Sequence, residues 1–226
     1  MVDPERDISP AAFAVNKIAQ EELSGAPKIK EVLPKFFDFI QGSCLCSYNA
    51  PFDLEFLASE SRQAGVGLPP EMVVVDILTM AKRLLPHLER YALWFIADTL
   101  GIRVTQKHRA LQDVELTLGV FYKLKEILYS KGIDEFPQFL SLFGLTSGFL
   151  DSINNQKIAQ IQEALSLGVK LKIKYFSGAN AAVSEREVIP KEIKQVKTRS
   201  YLVGYCCLRQ EERTFRIDGI LHLEII

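Results

Sequence analysis

Asp53 and Asp113 stand out among the carboxylates of this chain because each ends a short stretch that could turn it into a metal ligand. Asp53 closes Tyr48-Asn49-Ala50-Pro51-Phe52-Asp53. It follows a short apolar run that reads as a strand and falls in the first turn of a helix, where α/β sheets build their sites. Asp113 closes His108-Arg109-Ala110-Leu111-Gln112-Asp113, where a loop enters a long helix. Each has a plainer explanation alone: an acid in a first turn complements the helix dipole, and a lone histidine there is as a rule structural. Together they suit one reaction, hydrolysis of a phosphodiester. That chemistry needs carboxylates holding two divalent cations about 3.5 to 4 Å apart and a base that takes a proton from water. His108 fits the base, since an unperturbed histidine pKa of about 6.5 leaves the ring mostly neutral at working pH.

The elements that must position these residues follow from hydrophobic period. Phe13, Ile18, Leu23, Val32, Phe36, Phe37 and Ile40 recur at roughly helical spacing, broken by Gly25-Ala26-Pro27, which predicts two helices with a turn. Residues 44–48 predict a buried strand, and 52–64 a helix stopped by Gly65, Gly67, Pro69 and Pro70. The β-branched run Val73-Val74-Val75-Asp76-Ile77 predicts a strand covered on both faces. Helical period over 78–85, 91–100 and 111–128 completes an α/β half-domain.

The ordered motifs resemble the DEDDh 3′-to-5′ exonucleases of the DNA polymerase III epsilon-like, RNase H-like group. Tyr48-Asn49-Ala50-Pro51-Phe52-Asp53 is similar to the family's second motif, with Tyr48 where a histidine usually stands; His108, Arg109, Ala110 and Asp113 match the third in full. Val75 to Ala81, Tyr91 to Ile102 and Val2 to Ser9 are similar to the intervening and upstream segments. The resemblance implies His108 as general base, Asp53 and Asp113 as catalytic ligands of Mg²⁺ or Mn²⁺, and Asn49, Phe52 and Arg109 as substrate-binding residues. It also implies single-stranded 3′ ends of DNA, or RNA, as substrate, and a polymerase or repair complex as setting.

The family's first motif, an Asp-x-Glu on the first central strand, has no counterpart ahead of Asp53. Asp53-Leu54-Glu55 and Asp113-Val114-Glu115 are no substitutes, because residues i and i+2 share a face on a strand and diverge on a helix. The expectation is a two-metal site left incomplete, an N-terminally truncated domain that is inactive unless another polypeptide supplies the strand, and an exposed edge at residues 44–48.

After a packed connector over 131–154, the C-terminal part reads as a helix over 158–167 and strands over 169–176, 184–193, 201–208 and 214–225, which a small barrel would close. Its stretches Val169 to Phe176, Ser184-x-Arg186-x-Val188-x-Pro190, Tyr201-Leu202 and Arg213-x-Phe215-Arg216-Ile217-Asp218 resemble the WYL domain, an SH3/Sm-like barrel. Ser200 replaces the name-giving tryptophan, and Gly219 stands where arginine is frequent. The resemblance implies an anionic ligand, nucleic acid or a nucleotide, near Arg186, Tyr201, Arg213 and Arg216; arginine forks beside an aromatic suit phosphate and base. Exposed arginines on a barrel and a core tyrosine explain the same residues without a ligand.

Composition agrees. The 226 residues are 48% hydrophobic with a net charge of −1, enough to bury a core, and no apolar run approaches the roughly 20 residues of a membrane span. Residues 1–150 carry 15 basic and 19 acidic groups, residues 151–226 carry 12 and 9, a weak sign of a basic, anion-facing C-terminal module. Cys44-x-Cys46 and Cys206-Cys207 lack metal spacing and read as small buried hydrophobes in a reducing cytoplasm, with neither disulfide nor zinc. The expected architecture is therefore α/β: an incomplete RNase H-like domain with a mixed sheet flanked by helices over 1–130, the connector, and a WYL barrel over 155–226. A non-catalytic regulator using its WYL domain is the alternative function.

Overall fold

The computed structural model describes residues 1–103, 110–146 and 148–226. His108 and Arg109, expected as base and substrate contact, lie outside the described residues. The chain separates into two compact units, Met1–Leu78 with Arg90–Tyr122, and Thr79–Glu89 with Lys123–Ile226.

In the first unit, helices α1 (Pro10–Asn16) and α2 (Ile29–Ile40) are separated by a 3₁₀ turn over Gln20–Leu23. Leu33, Phe37 and Ile40 repeat at three- and four-residue intervals, so α2 buries one face. That face packs with Ala50, Met72 and Val74 in a core cluster. Strand β1 (Cys44–Ser47), helix α3 (Ala50–Ala64) and strand β2 (Val73–Asp76) form a β-α-β unit whose strands are parallel, Cys44 beside Val73 and Ser47 beside Asp76. Helix α3 stops at Gly65 in the left-handed conformation (φ +70°), where glycine costs least. Helix α4 (Ile77–Leu84) starts directly after β2, followed by α5 (Leu93–Thr99) and the long α6 (Ala110–Ser130).

The second unit opens its C-terminal course with α7 (Phe136–Phe143), β3 (Gly144–Thr146) and α8 (Gly148–Leu167). The expected connector is thus partly regular structure, and the expected ten-residue helix is the second half of a 20-residue one. The core stripe of Ile161 and Ala164, with Ile158 and Leu165 packed beside it, stabilises α8 from outside the asparagine-rich turns that obscured its start.

Strands β4 (Leu171–Ser177), β5 (Ala182–Val196), β6 (Arg199–Cys206), β7 (Glu211–Arg216) and β8 (Ile220–Ile225) form an antiparallel sheet in the order β7-β6-β5-β4-β8. No ladder joins β7 to β8 among the described residues, so the hydrogen-bonded sheet is open. The single strand expected over 214–225 is two, divided by a 3₁₀ turn at Ile217–Gly219. A side chain at Gly219 would put its Cβ 2.9 Å from the Tyr175 ring and 3.1 Å from the Phe176 carbonyl oxygen, which explains why arginine is absent there.

Alternate residues of β4, Leu171 and Ile173, point into a core with Val188, Leu202, Phe215 and Leu223. Arg83, at the end of α4, is buried in this unit. Its Nη1 donates to the Leu142 carbonyl at 2.7 Å, and its guanidinium lies over the Phe176 and Phe143 rings at 5.3 and 5.8 Å. Among the described residues, no helix is long and apolar enough to cross a membrane.

Candidate active site

Asn49 and Asp76 set the first turn of α3, which carries Asp53. Asn49 precedes the helix at φ +67°, a left-handed backbone that asparagine tolerates better than most residues. The backbone N–H groups of Asn49 and Ala50 donate to Asp76 Oδ1 at 3.0 and 3.1 Å, and that of Leu78 at 3.2 Å. Asp76, 3% exposed at the C-terminal end of β2, so becomes the anion at the start of α3. Sequence reasoning placed Asp76 on a strand and missed this role; an aspartate ending a β-branched run just before a helix is the signal it left.

Asp53 is exposed and accepts a hydrogen bond from the hydroxyl of Ser47, the last residue of β1. Asp113, in the first turn of α6, lines the same cavity of about 770 Å³. The structure thus brings the two expected carboxylates together, with Ser47, Tyr48, Trp94 and the thiols Cys44 and Cys46 around them. Glu55 and Glu115 do not line the cavity, as the helical geometry required. Asn49 and Phe52 do not line it either; Phe52 is exposed on the outside of α3.

Tyr48 donates its hydroxyl to the Tyr91 carbonyl at 2.7 Å. Burial, with the nearby Asp76 charge, pushes its pKa up to about 12, so it remains a protonated donor at neutral pH and cannot serve as a base. The cysteine reading needs correction: Cys206 is buried, but Cys46 is exposed and Cys44 only partly covered. Residues i and i+2 of β1 share a face, and that face meets the cavity rather than a core.

Among the described residues, no group of three or more histidine, cysteine or acidic side chains is arranged to hold a metal ion. Two aspartates remain, an oxygen donor set that suits one Mg²⁺ or Mn²⁺, ions commonly held by one or two carboxylates plus substrate phosphate.

In the second unit, Arg186, Arg209 and Arg213 share a cavity of about 240 Å³ with Tyr175, Ser184 and Phe215. Arg186 Nε donates to Ser184 Oγ at 3.1 Å, while its buried Nη1 has no hydrogen-bond partner. Arg213 pairs with Glu211 at 2.6 Å. Tyr201 and Arg216 are not among the lining residues, and the Arg216 fork is engaged by Asp218. Arg209 and Tyr175, which sequence reasoning missed, come from a turn and from β4, where Tyr175 pairs with Ser184.

The sequence profile of the exonuclease family RNase_T matches residues 1–121, more than half the chain, and that of the WYL domain matches residues 156–225. The chain belongs to the exonuclease family. Its exonuclease part is 34% identical over 132 residues to a PolC-type DNA polymerase III of Caldanaerobacter subterraneus subsp. tengcongensis, covering 58% of this chain and 9% of that protein. The PolC-type DNA polymerase III of Thermotoga maritima is 28% identical over 230 residues, covering all of this chain and 16% of that protein. The exonuclease chain therefore spans less than a fifth of either relative. Among solved structures, exonuclease X in complex with 5′ overhanging duplex DNA overlaps 58% of this chain and 72% of its own, with 25% identity and a TM-score of 0.44.

Proposed function

We propose that this exonuclease-family chain takes part in metal-dependent 3′-to-5′ hydrolysis of DNA, with RNA the alternative substrate. The observation that carries the reading is the convergence of Asp53 and Asp113, from two separate helices, on one cavity. Asp53, steadied by the Ser47 hydroxyl, and Asp113 would hold the cation through carboxylate oxygens. When bound, the cation supplies neutralisation of phosphate charge and a more acidic water. His108 takes the proton from the attacking water in this reading, and Asn49, Phe52 and Arg109 contact the strand. The polymerase relatives support a polymerase context, and the reading sets it in a polymerase or repair complex of the cytoplasm.

The test is degradation of single strands labelled at the 5′ or 3′ end, with Mg²⁺, Mn²⁺ or EDTA. The expected result is metal-dependent shortening from the 3′ end that falls at least about 100-fold in both Asp53→Asn and Asp113→Asn, in keeping with the loss of a key catalytic group. Shortening that persists in both variants, or none with either metal even when a polypeptide carrying an Asp-x-Glu strand is supplied, overturns the reading.

The second reading, a nucleic-acid- or nucleotide-binding regulatory module, is favoured by the three-arginine cavity with its unpartnered Arg186 Nη1. Strand binding without cleavage, weakened in Arg186→Ala, would select it.

A further inference from the structure

Strand β5 outruns its neighbour. Its ladder with β4 ends where Leu171 pairs with Val188, and from Ile189 to Val196 its ladder partner among the described residues is β6 alone. Strand β6 in turn extends past β7: the β7 ladder ends where Tyr201 pairs with Arg216, while Ser200 and Arg199 pair with Gln195 and Val196. A two-stranded ribbon thus carries the turn Lys197-Thr198 beyond the ends of β4 and β7.

The ribbon is basic. Residues 191–199 hold Lys191, Lys194, Lys197 and Arg199 against a single acid, Glu192, and all four cations are exposed. Directly opposed residues share a face, so Lys194 with Tyr201 and Val196 with Arg199 lie on one side of the ribbon. Ile193 and Leu202, on the other side, pack into the core. The cationic side therefore points away from the core. Lys194 pairs with Glu192 at 2.8 Å and Lys191 with Glu212 at 2.5 Å, all half-exposed. Such pairs contribute little in water and exchange easily for a phosphate. Lys197, at φ +55°, occupies a left-handed turn position that glycine or asparagine takes at lower cost. A cation is held at the tip in spite of that strain.

We propose that this ribbon enters the major groove of duplex DNA, with Lys194, Lys197 and Arg199 on the phosphates. That groove is about 12 Å wide and admits a two-stranded ribbon, whose strands lie about 4.8 Å apart. The chain as a whole carries −1, with 15 basic against 19 acidic groups in residues 1–150, so attraction to a polyanion comes from a local cluster. The exposed side offers one partly buried ring, Tyr201, in place of the row of aromatics on which single strands stack. None of these residues lines the three-arginine cavity, so the surface is separate from it. The proposal stands without the nuclease reading, because duplex binding needs no cleavage.

Fluorescence anisotropy tests it, following a labelled blunt-ended duplex bound by the full chain in EDTA over a series of sodium chloride concentrations. Three neutralised phosphates add about 2.7 to the slope of log K against log salt. Lys194→Gln with Lys197→Gln and Arg199→Gln should lose that much slope. Lys30→Gln with Lys35→Gln and Lys82→Gln, also exposed and equal in charge change, should keep it. Lys197→Gly alone should lose about 0.9 of slope while easing the turn, so its loss is not one of folding. The proposal is overturned by a parent chain that does not bind the duplex or binds the unpaired strand more tightly. A slope unchanged in the ribbon variant, or lowered equally in the control, also overturns it. Equal affinity for poly-glutamate does so too, and marks an acidic protein as the partner.

Discussion

Asp76 accepts the backbone N–H of Ala50 at 3.1 Å, tying the end of β2 to the turn that carries Asp53. The same oxygen takes the N–H groups of Asn49 and Leu78. Replacing Asp76 by alanine leaves buried donors without an acceptor, at a cost of about 2–4 kcal/mol. Urea unfolding of Asp76→Ala should show this loss with an unchanged m-value, and cation binding through Asp53 should weaken with it.

Manganese binding separates the roles of the two aspartates from those of their sequence neighbours. Asp53→Asn and Asp113→Asn should each weaken Mn²⁺ binding about tenfold or more, as expected for loss of a charged oxygen ligand. Glu55→Gln and Glu115→Gln should leave it unchanged, because neither side chain reaches the cavity. Electron paramagnetic resonance of free Mn²⁺ reads all four.

Lys157 on α8 is partly buried against Ser141, donating to its Oγ at 2.7 Å, and burial pulls its pKa from the usual 10.5 down to about 8. Between these values the unfolded chain holds a proton that the folded chain has released, so stability rises with pH across about pH 8 to 10.5. Below pH 8 both states are protonated and this group adds no slope. The rise is on the order of 3 kcal/mol and should vanish from the pH profile of Lys157→Met in denaturant titrations.

Gly219→Ala should destabilise the WYL unit by about 1–3 kcal/mol, the usual cost of overpacking. The added Cβ meets the Tyr175 ring, itself held edge-on against Phe215 at 5.1 Å, and the fixed Phe176 carbonyl. A melting temperature equal to that of the parent chain would show that the ring can yield.

Arg83→Ala should cost more, about 3–5 kcal/mol, because it removes a buried cation from its partners. The Leu142 carbonyl, the Asp218 carboxylate 3.9 Å away and two aromatic faces all lose their counterpart. Thermal unfolding of Arg83→Ala beside Lys82→Ala, an exposed neighbour, checks it.

The parts legible in the sequence were those written in local pattern. Val73 to Asp76 announced a covered strand by β-branching alone, and Gly65 announced the end of α3. Asp53 and Asp113 were found because each ends a motif whose spacing carries meaning. Ser47 was not, since its hydroxyl matters only where the turn into α3 brings it against Asp53. The break in the last strand stayed hidden because Phe215 and Ile220 continue the apolar pattern on either side of it, and the constraint comes from Tyr175, far away in the chain. Cys46 was read as buried from its apolar neighbours, but only the fold decides which face of β1 meets solvent. Arg209 sits in a turn whose sequence has no periodicity to betray its meeting with Arg186.

Leu111, Val114, Leu118 and Tyr122 lie at successive three- and four-residue steps along α6, and all four are exposed. A stripe of this kind makes the chain's solubility depend on which ions surround it. Sulfate and other strongly excluded salts should drive molecules together along this stripe, and modest urea should release them. Ordinary charge screening by sodium chloride should do little, because the attraction is between hydrocarbon surfaces and has no Coulombic part to screen.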